Sequence, residues 1–131
     1  THAHYDDEKF DGDRDEIIQK AFKSGVSCML NAASDISSAV TTLEMTKRYP
    51  FMYAALGIHP HEAGNMDEPM MDELEELCRN PKVVAVGEIG LDYARDYSPR
   101  DIQIACFEMG LRLAERERLP VVIHQRDAGD V

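Results

Sequence analysis

The sequence predicts an α/β fold built on a parallel sheet, and three observations carry the prediction. Apolar runs of strand length alternate with amphipathic helical stretches four times along the 131 residues, the pattern of repeated βαβ units. All five histidines, His2, His4, His59, His61 and His124, fall at the C-terminal ends of predicted strands, the edge where parallel α/β folds build their sites. No internal repeat, low-complexity tract or interdomain linker interrupts the alternation, so residues 1–131 read as part of one domain. Two architectures satisfy this pattern: an open doubly wound sheet, or part of a (β/α)₈ barrel. A complete barrel takes about 250 residues. In that case the chain supplies the end of strand one and strands two to five.

The elements follow in order. His2 and His4 close a first strand. Asp13 caps a helix carrying Ile18 and Phe22 four residues apart, and Gly25 stops it. Val26 to Ala33 is a compact apolar strand, after which Ser34 caps a helix with Ile36, Val40 and Leu43 on one stripe, ending before Pro50. Phe51 to Ile58 is the third strand and runs into His59-Pro60-His61. Asp67 and Pro69 open a helix with Met70, Leu74 and Leu77 inward, stopped at Asn80-Pro81. Val83 to Tyr93, VVAVGEIGLDY, is the fourth strand, and alternation places Val84, Val86 and Glu88 on one face. Ser98, Pro99 and Asp101 open a helix whose inward stripe is Ile102, Cys106, Met109 and Leu113. The last strand is Val121 to His124, leading into Gln125-Arg126-Asp127.

Composition narrows the function. No run of eighteen apolar residues occurs, which argues against a membrane span, and the N-terminus lacks the pattern of a secretory signal. Cys28, Cys78 and Cys106 are odd in number and scattered, as expected of reduced thiols in a cytoplasmic protein. A formal net charge of -11 opposes a broad electrostatic grip on duplex DNA. An anionic ligand therefore needs positive charge supplied locally, and bound metal is the obvious source.

The chemistry concentrates on Glu88. Burying an unpaired carboxylate costs several kcal/mol, and VVAVGEIGL contains no base to pair with it. His2 and His4, two residues apart on extended chain, present both rings to one side and can share one ion. With Glu88 and His124 at matching strand ends, they make an imidazole and carboxylate donor set suited to Zn, Mn or similar divalent ions, and a carboxylate can bridge two of them. His59 and His61 flank a proline and divide between substrate contact and structural hydrogen bonding. Arg126 is placed to meet an anionic oxygen, or to pair with Asp127 or Asp130. Asp92, four residues after Glu88, is read as a group that orients a ligand from behind, and Asp127 is assigned the same role. No GxSxG, no strand-end cysteine and no phosphate-cradling glycine loop is present, so the residues favour metal-activated water.

Taken in order, THAH, GIHPH, VGEIGLDY and PVVIHQRDA resemble the TatD family of metal-dependent deoxyribonucleases, within the amidohydrolase-like superfamily. The resemblance covers essentially the whole chain. It implies a (β/α)₈ barrel, of which residues 1–131 are the N-terminal part, and a binuclear divalent-metal site (Mg, Mn or Zn) that hydrolyses DNA phosphodiester bonds. Carried over, it implies that His2 and His4 bind one metal, Glu88 bridges two as the catalytic carboxylate, and His124 binds the second. The family's further histidine and late aspartate ligands lie on strands beyond the fifth, and 131 residues do not reach them. The expected partner is DNA, single-stranded or at ends. The alternatives are ester or amide cleavage on the same metals, as on an aminoacylated tRNA, and a non-catalytic half-barrel that serves as an interaction module.

Overall fold

A computed structural model describes residues 2–130. Its strands are β1 (His2–Ala3), β2 (Met29–Ala32), β3 (Met52–Leu56), β4 (Val83–Asp92) and β5 (Val121–Arg126). Its helices are α1 (Arg14–Lys23), α2 (Ile36–Arg48), α3 (Glu68–Cys78) and α4 (Arg100–Glu117), with single 3₁₀ turns at Glu8–Phe10 and Pro60–Asn65. Every pairing is parallel and the sheet order is the chain order, β1-β2-β3-β4-β5, curled into a half-barrel. Parallel neighbours in chain order put every βα loop on one edge, which is why the strand-end residues meet.

The main core lies between the sheet and its helices. Leu56 of β3, Val86 and Ile89 of β4, Leu74 of α3 and Leu113 of α4 are all buried there. The concave face is thinner and built from small residues, Ala32, Ala55 and Ala85, with Leu30 and Val122 beside them. Burial pushes the thiols of Cys78 and Cys106 up to about 12 and about 11, which leaves them protonated and inert. Cys28 is exposed, because β2 begins only at Met29 and not at Val26.

Several boundaries differ from expectation for identifiable reasons. Asp35, rather than Ser34, caps α2: its carboxylate accepts the Ser38 amide at 2.8 Å, and the Ser34 amide donates instead to the Ser38 hydroxyl at 3.0 Å. Pro99 takes the cap position of α4 and Ser98 is freed for another role. In α4 the buried stripe is Gln103, Cys106, Gly110, Leu113 and Ala114, so Ile102 stands exposed and a glutamine occupies the core line. Val40 of α2 is exposed as well.

The largest departure is in β4. Its register slips between Val83 and Ala85 against β3 and again between Val86 and Ile89 against β5. Each slip sets one extra residue against the partner strand, so strict alternation fails. Val84 is exposed on the concave side and Val86 is buried in the helix-side core; neither shares the surroundings of Glu88. The second slip is packed through glycine. A Cβ on Gly87 would lie 2.6 Å from the Cβ of Val122, and Gly90, at φ 146, lies against the backbone of His124.

Candidate metal centre

The strand ends bring His2, His4 and Glu88 together, with one ligand atom from each within 4.8 Å of the others, and form a second such group from His59, His61 and His124. Glu88 stands between the two, 6% exposed. Its Oε2 lies 3.3 Å from His4 Nε2 and 3.8 Å from His2 Nε2, and its Oε1 lies 3.1 Å from His124 Nδ1. The bulged register of β4 is what aims it there.

The hydrogen-bond partners constrain which nitrogens carry protons. His4 Nδ1 meets the Ala32 carbonyl at 2.8 Å, and a carbonyl only accepts, so Nδ1 is a protonated nitrogen. His124 has a carboxylate on each side, with Nε2 3.1 Å from Asp92 Oδ2 and Nδ1 3.1 Å from Glu88 Oε1. A neutral imidazole carries one N–H, so a neutral His4 turns its Nε2 lone pair to Glu88 and a neutral His124 turns a lone pair to one of its two carboxylates. Acceptors do not face acceptors across 3.1 to 3.3 Å unless a proton or a cation lies between. Two donor atoms each 2.0 to 2.2 Å from a tetrahedral ion stand about 3.4 Å apart. The spacings around Glu88 match that separation, and the donor set fits a divalent ion on each side.

Without a cation, a proton takes that place: a protonated His4 bonded to the carboxylate does most to hold Glu88 down to about 2, and His59, charged only at that low pH, and His124 add to it, together outweighing burial. The same contact raises His4. His59 is pushed down to about 4 by burial and by neighbouring His61 and His124, so its ring is neutral at pH 7. Its Nδ1 accepts the His61 amide at 3.1 Å and closes the start of the 3₁₀ turn.

Asp92 is 1% exposed. Burial pushes its carboxyl up, but bonds from His61, the Arg95 amide and His124 outweigh this and hold it well below the usual carboxylate range. Oδ2 receives His61 Nε2 at 2.7 Å as well as His124, and Oδ1 receives the Arg95 amide at 3.0 Å. Arg126 and Asp127 sit exposed at the end of β5. Among the described residues Arg126 forms no ion pair with Asp127 or Asp130, and no hydrogen bond brings the Asp127 side chain to the histidines.

Sequence reasoning missed the supports. Gln103 is 1% exposed; its Oε1 accepts the Asp92 amide at 2.9 Å and its Nε2 donates to the Ser98 carbonyl at 2.8 Å. The Ser98 hydroxyl accepts the Gly64 amide at 2.9 Å and reaches the His61 carbonyl at 3.4 Å. Behind His4, fully buried Asn31 accepts the Tyr5 amide at 2.6 Å and donates to Asp6 at 2.8 Å, while Asp6 also receives Ser38 at 2.7 Å. One signal was available: a lone amide in the apolar run VSCMLNAA must be buried with partners or not at all.

With this geometry in view, the comparisons with known proteins agree with one another. A family model described as TatD related DNase matches residues 1–131. The chain is 41% identical over 128 residues to the uncharacterized metal-dependent hydrolase YabD of Bacillus subtilis, across 98% of this chain and 50% of that protein. It is 38% identical over 123 residues to the 3′-5′ ssDNA/RNA exonuclease TatD of a Rahnella species, across 93% of this chain and 47% of that protein. The crystal structure of YJJV, a TatD homologue from Escherichia coli K12, superposes with a TM-score of 0.90 at 34% identity, covering 99% of this chain and 51% of that one. The chain thus spans about half the length of the relatives it matches, and its curled sheet is a partial (β/α)₈ barrel rather than an open doubly wound one. Motifs, strand order and the match along its whole length place the chain in the TatD-related DNase family.

Proposed function

We propose that the chain contributes to a binuclear metal centre that hydrolyses phosphodiester bonds in single-stranded nucleic acid from an end. The observation that carries this reading is the position of Glu88 between two histidine groups whose ring nitrogens approach its opposite oxygens at 3.3 and 3.1 Å. His2, His4 and Glu88 would hold one divalent ion, and Glu88 with His124 would hold the other. Imidazoles with one carboxylate suit Zn or Mn, and Mg is compatible with the carboxylate share. Divalent ions supply charge neutralisation at the scissile phosphate and shift the pKa of water from 15.7 to about 7.

The residues of the chain do the rest. Asp92 holds the His124 ring by its Nε2 proton, so that Nδ1 stays free, and holds His61 by the same oxygen. His61 and Arg126 are assigned to the substrate phosphates. Neutral His59 packs against the rings of His61 and His124 and shapes the floor between them. Asp127 is assigned to orienting Arg126. Local cations explain how a chain of net charge -11 takes a polyanion, and why ends and single strands suit it better than duplex. Nuclease relatives named for ssDNA and RNA support the substrate class, and buried unpaired thiols fit a reducing, cytoplasmic setting. Among the described residues no helix is long and apolar enough to cross a membrane.

The test is incubation of the full-length protein with 5′- and 3′-labelled single-stranded DNA and RNA in Mg or Mn. Shortening from one end that stops in EDTA is expected. No metal-dependent shortening, alongside turnover of an aminoacyl ester or amide, would move the reading to the other hydrolases. A second expectation concerns Asp92. Asp92→Asn lowers Mn affinity by roughly 10 to 100-fold, because an amide nitrogen can no longer fix the His124 tautomer. Isothermal titration of metal into the apo protein reads this out, and an unchanged affinity removes Asp92 from the site.

A further inference from the structure

We infer that Tyr97 is a stacking platform for a nucleobase next to the scissile phosphate, braced by Arg95 at the rim of the histidine cluster. The inference rests on the nucleic-acid reading above and deepens it. Tyr97 is 64% exposed, the most exposed of the large hydrophobic side chains among the described residues. Its ring packs edge-on against His61, with centroids 4.8 Å apart, so the open face lies beside the site rather than elsewhere on the surface.

An aromatic ring on a slack loop would carry little meaning, but this loop is braced. The Arg95 and Asp96 amides both bond back to Asp92, at 3.0 and 3.2 Å. Asp96, at φ 47, is clamped by Arg100 at 2.9 Å, and the next residue after Tyr97 is the buried Ser98. Tyr97 therefore stands out from a segment fixed on both sides. Stacking on it costs little ordering entropy, since the ring is already held.

Arg95 completes the platform. Its guanidinium lies 5.9 Å from the Tyr97 centroid and donates to the phenolic oxygen at 3.2 Å, and among the described residues it has no carboxylate partner. An arginine without an acid, beside an exposed ring, is the pairing that single-strand binders use: the ring takes a base face and the guanidinium adds cation attraction near the backbone. Stacking reads no base identity, so the platform selects unpaired nucleotides over duplex without sequence preference.

The test compares wild type, Tyr97→Ala, Tyr97→Leu and Tyr97→Phe on a single-stranded oligonucleotide and on the same oligonucleotide with abasic residues at the cleaved end. Stacking of one base is worth about 1 to 3 kcal/mol, or roughly 5 to 150-fold. Tyr97→Ala and Tyr97→Leu are expected to raise KM for the normal strand by roughly that factor with little change in kcat. On the abasic strand they should match wild type, and Tyr97→Phe, which keeps the ring and loses only the Arg95 bond to the hydroxyl, should stay much closer to the wild-type KM than Tyr97→Ala. A parallel binding measurement uses an oligonucleotide with hydrolysis-resistant phosphorothioate linkages and 2-aminopurine at its end. Its fluorescence is quenched by wild type and Tyr97→Phe, and not by Tyr97→Ala. Equal loss on both strands, or quenching that survives in Tyr97→Ala, overturns the platform while leaving the nuclease standing. Wild type that neither cleaves nor quenches overturns the nuclease reading itself.

Discussion

Glu88→Gln is expected to abolish the metal centre while leaving the fold intact. The amide keeps the shape of the carboxylate but brings an NH₂ toward one of the two histidine groups and removes the charge that the two proposed ions would share. On the proposed reading, metal content of the full-length protein should fall from two ions to one or none, and nuclease turnover by on the order of 10³, the equivalent of several kcal/mol of lost charge stabilisation. A second readout is independent of activity. Glu88 raises the His4 pKa through its hydrogen bond and charge. In the metal-free Glu88→Gln protein, His4 should therefore titrate lower, closer to the ordinary histidine value of about 6.5. Plasma emission spectrometry and histidine NMR titration check the two outcomes. Full metal content, with His4 unmoved, would remove Glu88 from the centre of the site.

Gly90→Ala should be the most destabilising single-methyl change in the sheet. The backbone at Gly90 sits at φ 146, and a methyl group there would run into the His124 carbonyl, with the His124 carbonyl carbon 2.9 Å and the amide nitrogen 3.1 Å away. No rotamer relieves a clash between a Cβ and backbone, so β5 has to move or β4 has to change conformation. Strain of this kind costs about 3 kcal/mol or more, a drop in Tm of roughly 10 °C. Because the displaced residue is His124, metal affinity should fall with stability. Gly12→Ala is the control: nothing lies within 4 Å of its would-be Cβ and its φ is ordinary, so thermal unfolding should be nearly unchanged. Equal melting temperatures for the two variants would show that the β4–β5 contact yields easily.

Much of the arrangement was legible in the residues themselves. Alternating strand and helix patterns gave the parallel sheet, and its loops all lie on the edge where the histidines fall. That edge made His2, His4, Glu88 and His124 candidates to meet, the family resemblance grouped them as ligands, and the structure brings His2, His4 and His124 around Glu88. What periodicity could not supply was anything that depends on slipping register. Val84 and Val86 fit a two-residue alternation with Glu88, yet two bulges put Val84 on the concave side and Val86 in the helix core. Gln103 was hidden for a related reason. A polar residue in a helix defaults to the solvent face, and its burial makes sense only once the Asp92 amide and Ser98 carbonyl are there to receive it. Ser34 was read as the cap of α2, and the geometry of the loop gives that place to Asp35 one residue on.

The contact between Ser98 and Gly64 has a consequence for how the rim can diverge. A methyl group at position 64 would meet the Ser98 hydroxyl at 3.2 Å, and the Gly64 amide depends on that hydroxyl. A larger residue at 64 therefore needs a smaller one at 98, which in turn releases the His61 carbonyl. Substitutions at the two positions should therefore be non-additive, and the loops that carry His61 and Tyr97 are expected to tolerate change only together.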